Sequence, residues 1–313
     1  MIIAGTGIAF DDPLKGRVVA AYDAETGDLF WQFQTRCALT TAITVFETDD
    51  EGEPAPGAGQ SPLTLDGYMD RAVFADRCGY IYKIDLTRET AGGWNPGIGG
   101  ILVDVVAGTQ LKALFQTAGG LPVTGNIGAR ALLDDDTTRV SLFFGTGGLE
   151  DAPPFPQNTF YVISASPDNV ADTDPANLIL DATIKGTCAE PSRCEKFYGG
   201  VRLNPEQVIF TRVLEPVIGN PFCDPGQTTI EVREITGDVS SPNFMEESFT
   251  TTVDGMITSP LTARGNAIYF TDSRGRVNSV GDPQAPNTGF GPDEGSGADT
   301  NAPMLLLGWR QVY

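Results

Sequence analysis

Residues Gly16 to Phe33 read GRVVAAYDAETGDLFWQF. Val18 to Tyr22 is a short apolar run and Leu29 to Phe33 a second one with aromatic weight, while Asp23-Ala24-Glu25-Thr26-Gly27 between them carries the residues that reverse a chain. The stretch therefore predicts two antiparallel strands joined by a tight turn. The same phrase returns at Arg71 to Leu86 (RAVFADRCGYIYKIDL, turning at Asp76 to Gly79) and at Asn266 to Val280 (NAIYFTDSRGRVNSV, turning at Asp272 to Gly275). Val140 to Gly147 and Asn158 to Ser164 predict a further pair around a proline-rich loop, and Gln207 to Leu214 with Thr228 to Ile235 another.

Copies spaced irregularly by about 40 to 70 residues fit propeller blades with insertions better than a sandwich, which does not repeat one strand-turn-strand phrase. The expectation is one all-β domain over residues 1–313, a β-propeller of about five to seven blades with long inserted loops. Thirty-seven Gly and 22 Pro against 20 Lys plus Arg agree with many turns and few surface helices. Asp49 to Gln60 (DDEGEPAPGAGQ) and Asp282 to Ala302 are charged, Pro/Gly-rich and without apolar period, and read as exposed connections.

A net charge of −21 with no Lys/Arg cluster repels phosphate backbones, so nucleic acid is not an expected partner. An apolar content of 41% with regular β-rich runs separates the chain from acidic disordered segments. Histidine is absent, which removes the usual general base of Ser and Cys hydrolases, the commonest zinc ligand and the axial ligand of c-type haem. No apolar run approaches the roughly 18 residues of a membrane span, so membrane insertion is not expected. Met1 to Phe10 lacks the basic start and cleavage site of a signal peptide, and the chain begins inside a strand-like run; an export signal and an upstream region are expected outside this sequence.

The five cysteines, at 37, 78, 188, 194 and 223, form no CxxC and no adjacent pair, and read as disulfide partners. Cys188 and Cys194 flank Pro191 in a polar loop that a small disulfide closes easily. Cys37 follows one repeat's last strand and Cys78 sits in the next repeat's turn, so a bridge between them is geometrically reasonable. Cys223 is left over, to pair outside this sequence or to stay reduced. Trp31 and Trp309 each stand at a strand end, where a large ring seals the joint between neighbouring blades.

The phrases occur in an order that resembles the C-terminal propeller of the PilY family, proteins of type IV pili. Gly5-Thr6-Gly7 followed by YDAETGDLFWQF is similar to that family's "GTG … LDAxTGxLLW", and Ser61 to Leu86 to its aspartate-rich loop followed by "DRVYAGDLxGNLWRFDL". Leu114 to Tyr161, within ALFQTAGGLPVTG, FFGTGGLED and QNTFYVI, resembles "LFTA … QPIT … FGTG … QTFY". Val201 to Cys223, with Glu206, Phe210-Thr211 and Pro216, resembles "GERV … FTTxxP … C", and LLLGWRQV, Leu305 to Val312, the closing "xxSWREI". The resemblance implies a quinoprotein-like but modified propeller at the end of a longer secreted protein. It implies a non-enzymatic adhesin or assembly factor in pilus biogenesis, retraction control, surface attachment and twitching motility. Its partners are then minor pilins at the pilus tip and a host or abiotic surface, and its location is extracellular, reached through the periplasm.

The family's calcium loop, D-x-D-x-D-G-x-x-D, corresponds here to Pro62-Leu63-Thr64-Leu65-Asp66-Gly67-Tyr68-Met69-Asp70. Only Asp66 and Asp70 remain, and since calcium takes six to eight oxygens, weak or absent calcium binding is expected; no other cofactor is expected. Asp134-Asp135-Asp136 reads as a solvated hairpin turn, and Asp168, Asp172 and Asp174 lack the Gly and bidentate Glu of an EF-hand. The nearest strings to an Arg-Gly-Asp tripeptide are Arg264-Gly265-Asn266 and Arg274-Gly275-Arg276, so integrin binding is not carried over. Two further readings stand beside the adhesin. A quinone-dependent dehydrogenase shares the turn at Asp23 to Trp31 but carries an adjacent-cysteine disulfide that this sequence lacks. A passive scaffold whose propeller face binds another envelope protein is the other.

Overall fold

A computed structural model describes residues 1–7, 15–46, 71–86, 105–106, 110–134, 137–148, 157–165, 179–190, 193–197, 200–203, 207–215, 226–235, 245–257, 262–264, 266–271 and 277–282. Among them the chain is all-β, interrupted by a single 3-10 turn at Ala118–Gly120. Sheet I opens with β1 (Ile2–Gly5), β2 (Val18–Tyr22) and β3 (Leu29–Gln34), an antiparallel meander. The quoted stretch is thus a hairpin. Its turn is set by Asp23, whose Oδ1 accepts from the amides of Glu25 at 2.7 Å and Thr26 at 3.0 Å, and by Gly27 at φ 78°. These two amides hold the Asp23 carboxyl below the ordinary aspartate range.

Sheet II comprises β4 (Thr44–Phe46), β5 (Arg71–Ala75) and β6 (Tyr80–Asp85). The chain then returns to sheet I through β7 (Val105–Val106) and β8 (Gln110–Leu111), β8 lying parallel to β3, before β9 (Phe115–Gln116) completes sheet II. Sheet III is β10 (Gly128–Asp134), β11 (Thr137–Gly145), β12 (Thr159–Ala165) and β13 (Ile179–Lys185), paired in that order. A small hairpin, β14 (Cys188–Glu190) and β15 (Arg193–Cys194), leads into sheet IV. Sheet IV is β16 (Val201–Leu203), β17 (Gln207–Leu214), β18 (Gln227–Ile235) and β19 (Met245–Asp254), and sheet V is β20 (Thr262–Arg264), β21 (Asn266–Thr271) and β22 (Val277–Asp282).

The sheets pack face to face in chain order. Successive side chains of a strand point to opposite faces, so a strand covered on both sides reads as continuously apolar. Ala72–Ala75 does so, and the whole of Arg71–Ala75 is buried, the Arg71 side chain included. Ala72, Phe74, Tyr82 and Ile84 join Val19 and Leu39 between sheets I and II, whereas Val73, Ala75 and Ile81 join Leu142, Phe144 and Tyr161 between sheets II and III. The neighbours Phe143 and Phe144 split likewise, Phe143 packing with Phe160 and Phe210 between sheets III and IV. Ile209, adjacent to Phe210, faces Ile230, Ile268 and Phe270 between sheets IV and V. Ring stacking reinforces one sheet and one joint: Phe144 on Tyr161 at 5.5 Å within sheet III and Phe160 on Phe210 at 4.0 Å across sheets III and IV. Trp31 is half-buried in the joint of sheets I and II; Trp309 lies outside the described residues.

A second repeat, not visible in the strand phrases, governs how the first strands enter. Leu39, Val123 and Lys196 each form an isolated bridge to Asp76, Thr146 and Val213 of their own sheet's hairpin, and each stands five residues ahead of β4, β10 or β16. Ile257, fully buried, holds the same place ahead of β20. These entering segments tie neighbouring sheets together. The hydroxyls of Thr40 and Thr44 donate to the carbonyls of Val123 and Ile127, and Asn126 spans to Val201 with both its side-chain atoms at 2.9 and 3.0 Å. The first strand of sheet III accordingly touches those of sheets II and IV.

Candidate functional site

The joint of sheets I and II concentrates the chain's unusual chemistry. Thr35 to Leu39, leaving β3, runs against the β5–β6 turn, Asp76 to Gly79, and Leu39 bridges to Asp76. Gly79, at φ +74°, lets the same turn also approach Thr117 and the Leu121 carbonyl, with which a Cβ there would collide. Cys37 and Cys78 form a disulfide across the joint, Cα atoms 5.8 Å apart.

Asp76, fully buried, is the hub. Its Oδ1 accepts from the amides of Cys78 at 3.0 Å and Tyr80 at 3.1 Å, and its Oδ2 from the amide of Cys37 at 3.0 Å and the Tyr82 hydroxyl at 2.7 Å. The Tyr82 oxygen in turn accepts from the Arg36 amide at 2.9 Å, and the Arg36 guanidinium lies 4.6 Å above the Tyr80 ring. Burial pushes the Asp76 carboxyl above the ordinary aspartate range, against the pull of its four donors. Burial first, then the Asp76 charge, pushes the Tyr82 phenol far up, so it stays protonated as a donor.

The Cys37 and Cys78 sulfurs and a carboxylate oxygen of Asp76 lie within 4.8 Å of one another, the spacing of a metal cluster. Their chemistry points elsewhere. Both sulfurs are consumed by the disulfide, so neither is the thiolate that a metal needs, and each carboxylate oxygen already takes two hydrogen bonds. The arrangement is a staple between two sheets.

Cys188 and Cys194 form the second disulfide, with Cα atoms 4.0 Å apart; they lie on the paired strands β14 and β15 rather than in an open loop. Asp66 and Asp70, the degenerate calcium loop, lie outside the described residues, as do Asp168, Asp172, Asp174 and Cys223. Asp134 ends β10 and pairs with Thr137, whereas Asp135 and Asp136 lie outside the described residues.

Two buried charge systems carry no signal in the sequence reading. Lys196, at the position where the other three entering segments have Leu, Val or Ile, places its Nζ 2.7 Å from the Gly148 carbonyl and 3.0 Å from the Glu215 carboxylate. On sheet IV, Glu231 is 1% exposed between Arg212 and Arg233, and the line extends to Glu195 at 2.9 Å and Glu247 at 3.6 Å. Alternation on β17 and β18 foreshadows an inward face at these positions, but nothing local marks charged residues as belonging there.

No protein-family model matches the chain, and no curated protein matches it. No described helix is long and apolar enough to cross a membrane. The two disulfides are the chemistry of an oxidising compartment and agree with a secreted β-rich protein.

Proposed function

We propose that this chain is a non-enzymatic β-propeller domain of a type IV pilus-associated adhesin or assembly factor, acting at the pilus tip. The observation that supports the reading most is the packing order: successive sheets pack on their chain neighbours, sheets II, III and IV each burying both faces, and the first strands of these three sheets approach one another. Blades around an axis pack in that way, and a propeller is what the ordered sequence phrases imply. Function does not follow from fold; the pilus assignment is drawn from those phrases. The stapled joint of sheets I and II is compatible with a mechanical role, since a covalent bridge at a sheet junction resists separation of the sheets. Deleting the domain from the source bacterium is expected to reduce surface piliation and attachment. Normal pili together with normal attachment in the deletion strain overturns the proposal.

A further inference from the structure

The outer strand of sheet IV, β19, is the longest described strand, ten residues reading MEESFTTTVD. It pairs with β18 on one side, and no described strand pairs with its other side. The pairing fixes which backbone groups face outward. Gly255 donates to the Gly226 carbonyl at 2.9 Å, so that pair is hydrogen-bonded, and the antiparallel alternation then leaves Asp254, Thr252 and Thr250 as non-hydrogen-bonded pairs with Gln227, Thr229 and Glu231. Their N–H and C=O groups therefore point away from β18. All three residues are exposed. Ser248, the extra residue where the register shifts, ends this run on the other side.

Native sheets blunt such edges with Pro, Lys or inward charges. Phe249 to Val253 contains none of these, and the acids, Glu246, Glu247 and Asp254, stand only at its ends. The two side-chain faces differ. Phe249 and Val253 continue the apolar core between sheets IV and V, whereas Thr250 and Thr252 share the face of Glu231. We propose that β19 is a docking edge for an extended segment of a partner protein. That segment alternates β-branched apolar residues with polar ones and carries a Lys or Arg at each end. The valines continue the Phe249 and Val253 face, and the cations meet Asp254 at one end and Glu247 at the other. A second copy of this chain is the disfavoured occupant, because each copy brings a net charge of −21 to the contact. The inference rests on the register of β19 and not on the pilus assignment.

The test uses a fluorescein-labelled peptide, KVTVTVK, and its acidic counterpart EVTVTVE, titrated with the 313-residue chain by anisotropy. KVTVTVK is expected to bind, and EVTVTVE at least about tenfold more weakly. Thr252→Pro deletes an outward N–H without touching the β18 ladder and is expected to weaken KVTVTVK about tenfold or more with an unchanged circular dichroism spectrum. Hydrogen exchange, which needs no variant, is expected to slow at the Thr250, Thr252 and Asp254 amides when KVTVTVK is added. Absence of binding, equal binding of the two peptides, equal binding by a folded Thr252→Pro variant, or unchanged exchange at those amides overturns the proposal. A dimer seen by sedimentation without peptide and dissolved by Thr252→Pro overturns the named occupant in favour of a second copy.

Discussion

Replacing Cys37 and Cys78 together by Ser tests the staple directly. The bridge closes a separation of 41 residues, against 6 for Cys188–Cys194. A cross-link stabilises mainly by restricting the unfolded chain, and the loop-entropy relation gives about 4 kcal/mol for the long loop and about 2 kcal/mol for the short one. The native side favours a clean comparison: the hydrogen bond from position 37 to Asp76 comes from the backbone amide, so Cys37→Ser keeps it. Urea unfolding of the wild type and both double variants, Cys37→Ser with Cys78→Ser and Cys188→Ser with Cys194→Ser, at one pH and with linear extrapolation, reads the two losses. The long-loop variant is expected to lose about twice what the short-loop variant loses, about a thousandfold in its folding equilibrium. A long-loop loss smaller than the short-loop loss refutes the reasoning.

Asp76→Asn keeps an acceptor for Cys78 and Tyr80 but turns an amino group toward the Cys37 amide, and is expected to cost about 1–3 kcal/mol. Because the folded carboxyl titrates above the unfolded one, the folded state holds a proton that the unfolded state has already released. Wild-type stability relative to Asp76→Asn is therefore full below the ordinary value of about 3.9 and falls as pH rises through the folded value; urea midpoints from acid to neutral pH check the slope. Glu231→Gln leaves Arg212 and Arg233 partly uncompensated beside a buried amide and is expected to cost about 3–5 kcal/mol; because the site is buried, the loss in thermal unfolding is expected to persist at 1 M NaCl, a salt level at which about 3 Å of screening length removes surface pairs. Calorimetric titration of calcium into the chelator-treated chain is expected to show weak binding or none, and micromolar binding abolished by Asp66→Ala with Asp70→Ala contradicts the reading of a degenerate loop.

Where strand and turn chemistry are local, the sequence is transparent. The Asp23 to Gly27 and Asp76 to Gly79 turns, the β11–β12 pair and the β17–β18 pair all lie where apolar runs and Asp/Gly punctuation place them. Both disulfides join the cysteines that spacing and position bring together. What stayed hidden depends on long-range partners. β19 is mostly polar, with Glu246, Glu247 and Ser248 exposed in a row before Thr250, Thr252 and Asp254, and becomes a strand because β18 supplies its ladder. β4, β16 and β20 are three residues each, too short for any period. Asp76 reads as an ordinary turn residue; only the arrival of Cys37 and Tyr82 at its second oxygen makes it a hub.

The polar ties also answer a problem posed by the apolar cores. Hydrophobic contact is non-directional, so four cores between five sheets do not by themselves fix how far one sheet slides or rotates on the next. Directional bonds do, and each of the first three junctions carries its own kind. Sheets I and II have the disulfide and the Asp76 hub, sheets II and III the Thr40 and Thr44 hydroxyls on Val123 and Ile127, and sheets III and IV the Asn126 side chain on Val201 with Lys196 on Gly148. The ties at the second and third junctions come from the segments that enter β10 and β16 or receive them, where first strands touch and an error of position has least room to relax. Lys196 makes the case most sharply. Its neighbours in the repeat are apolar, and burying a cation in their place is unfavourable unless its partners are fixed. Its bonds to Gly148 and Glu215 supply that fixing, so the substitution trades some burial energy for a defined seat between sheets III and IV.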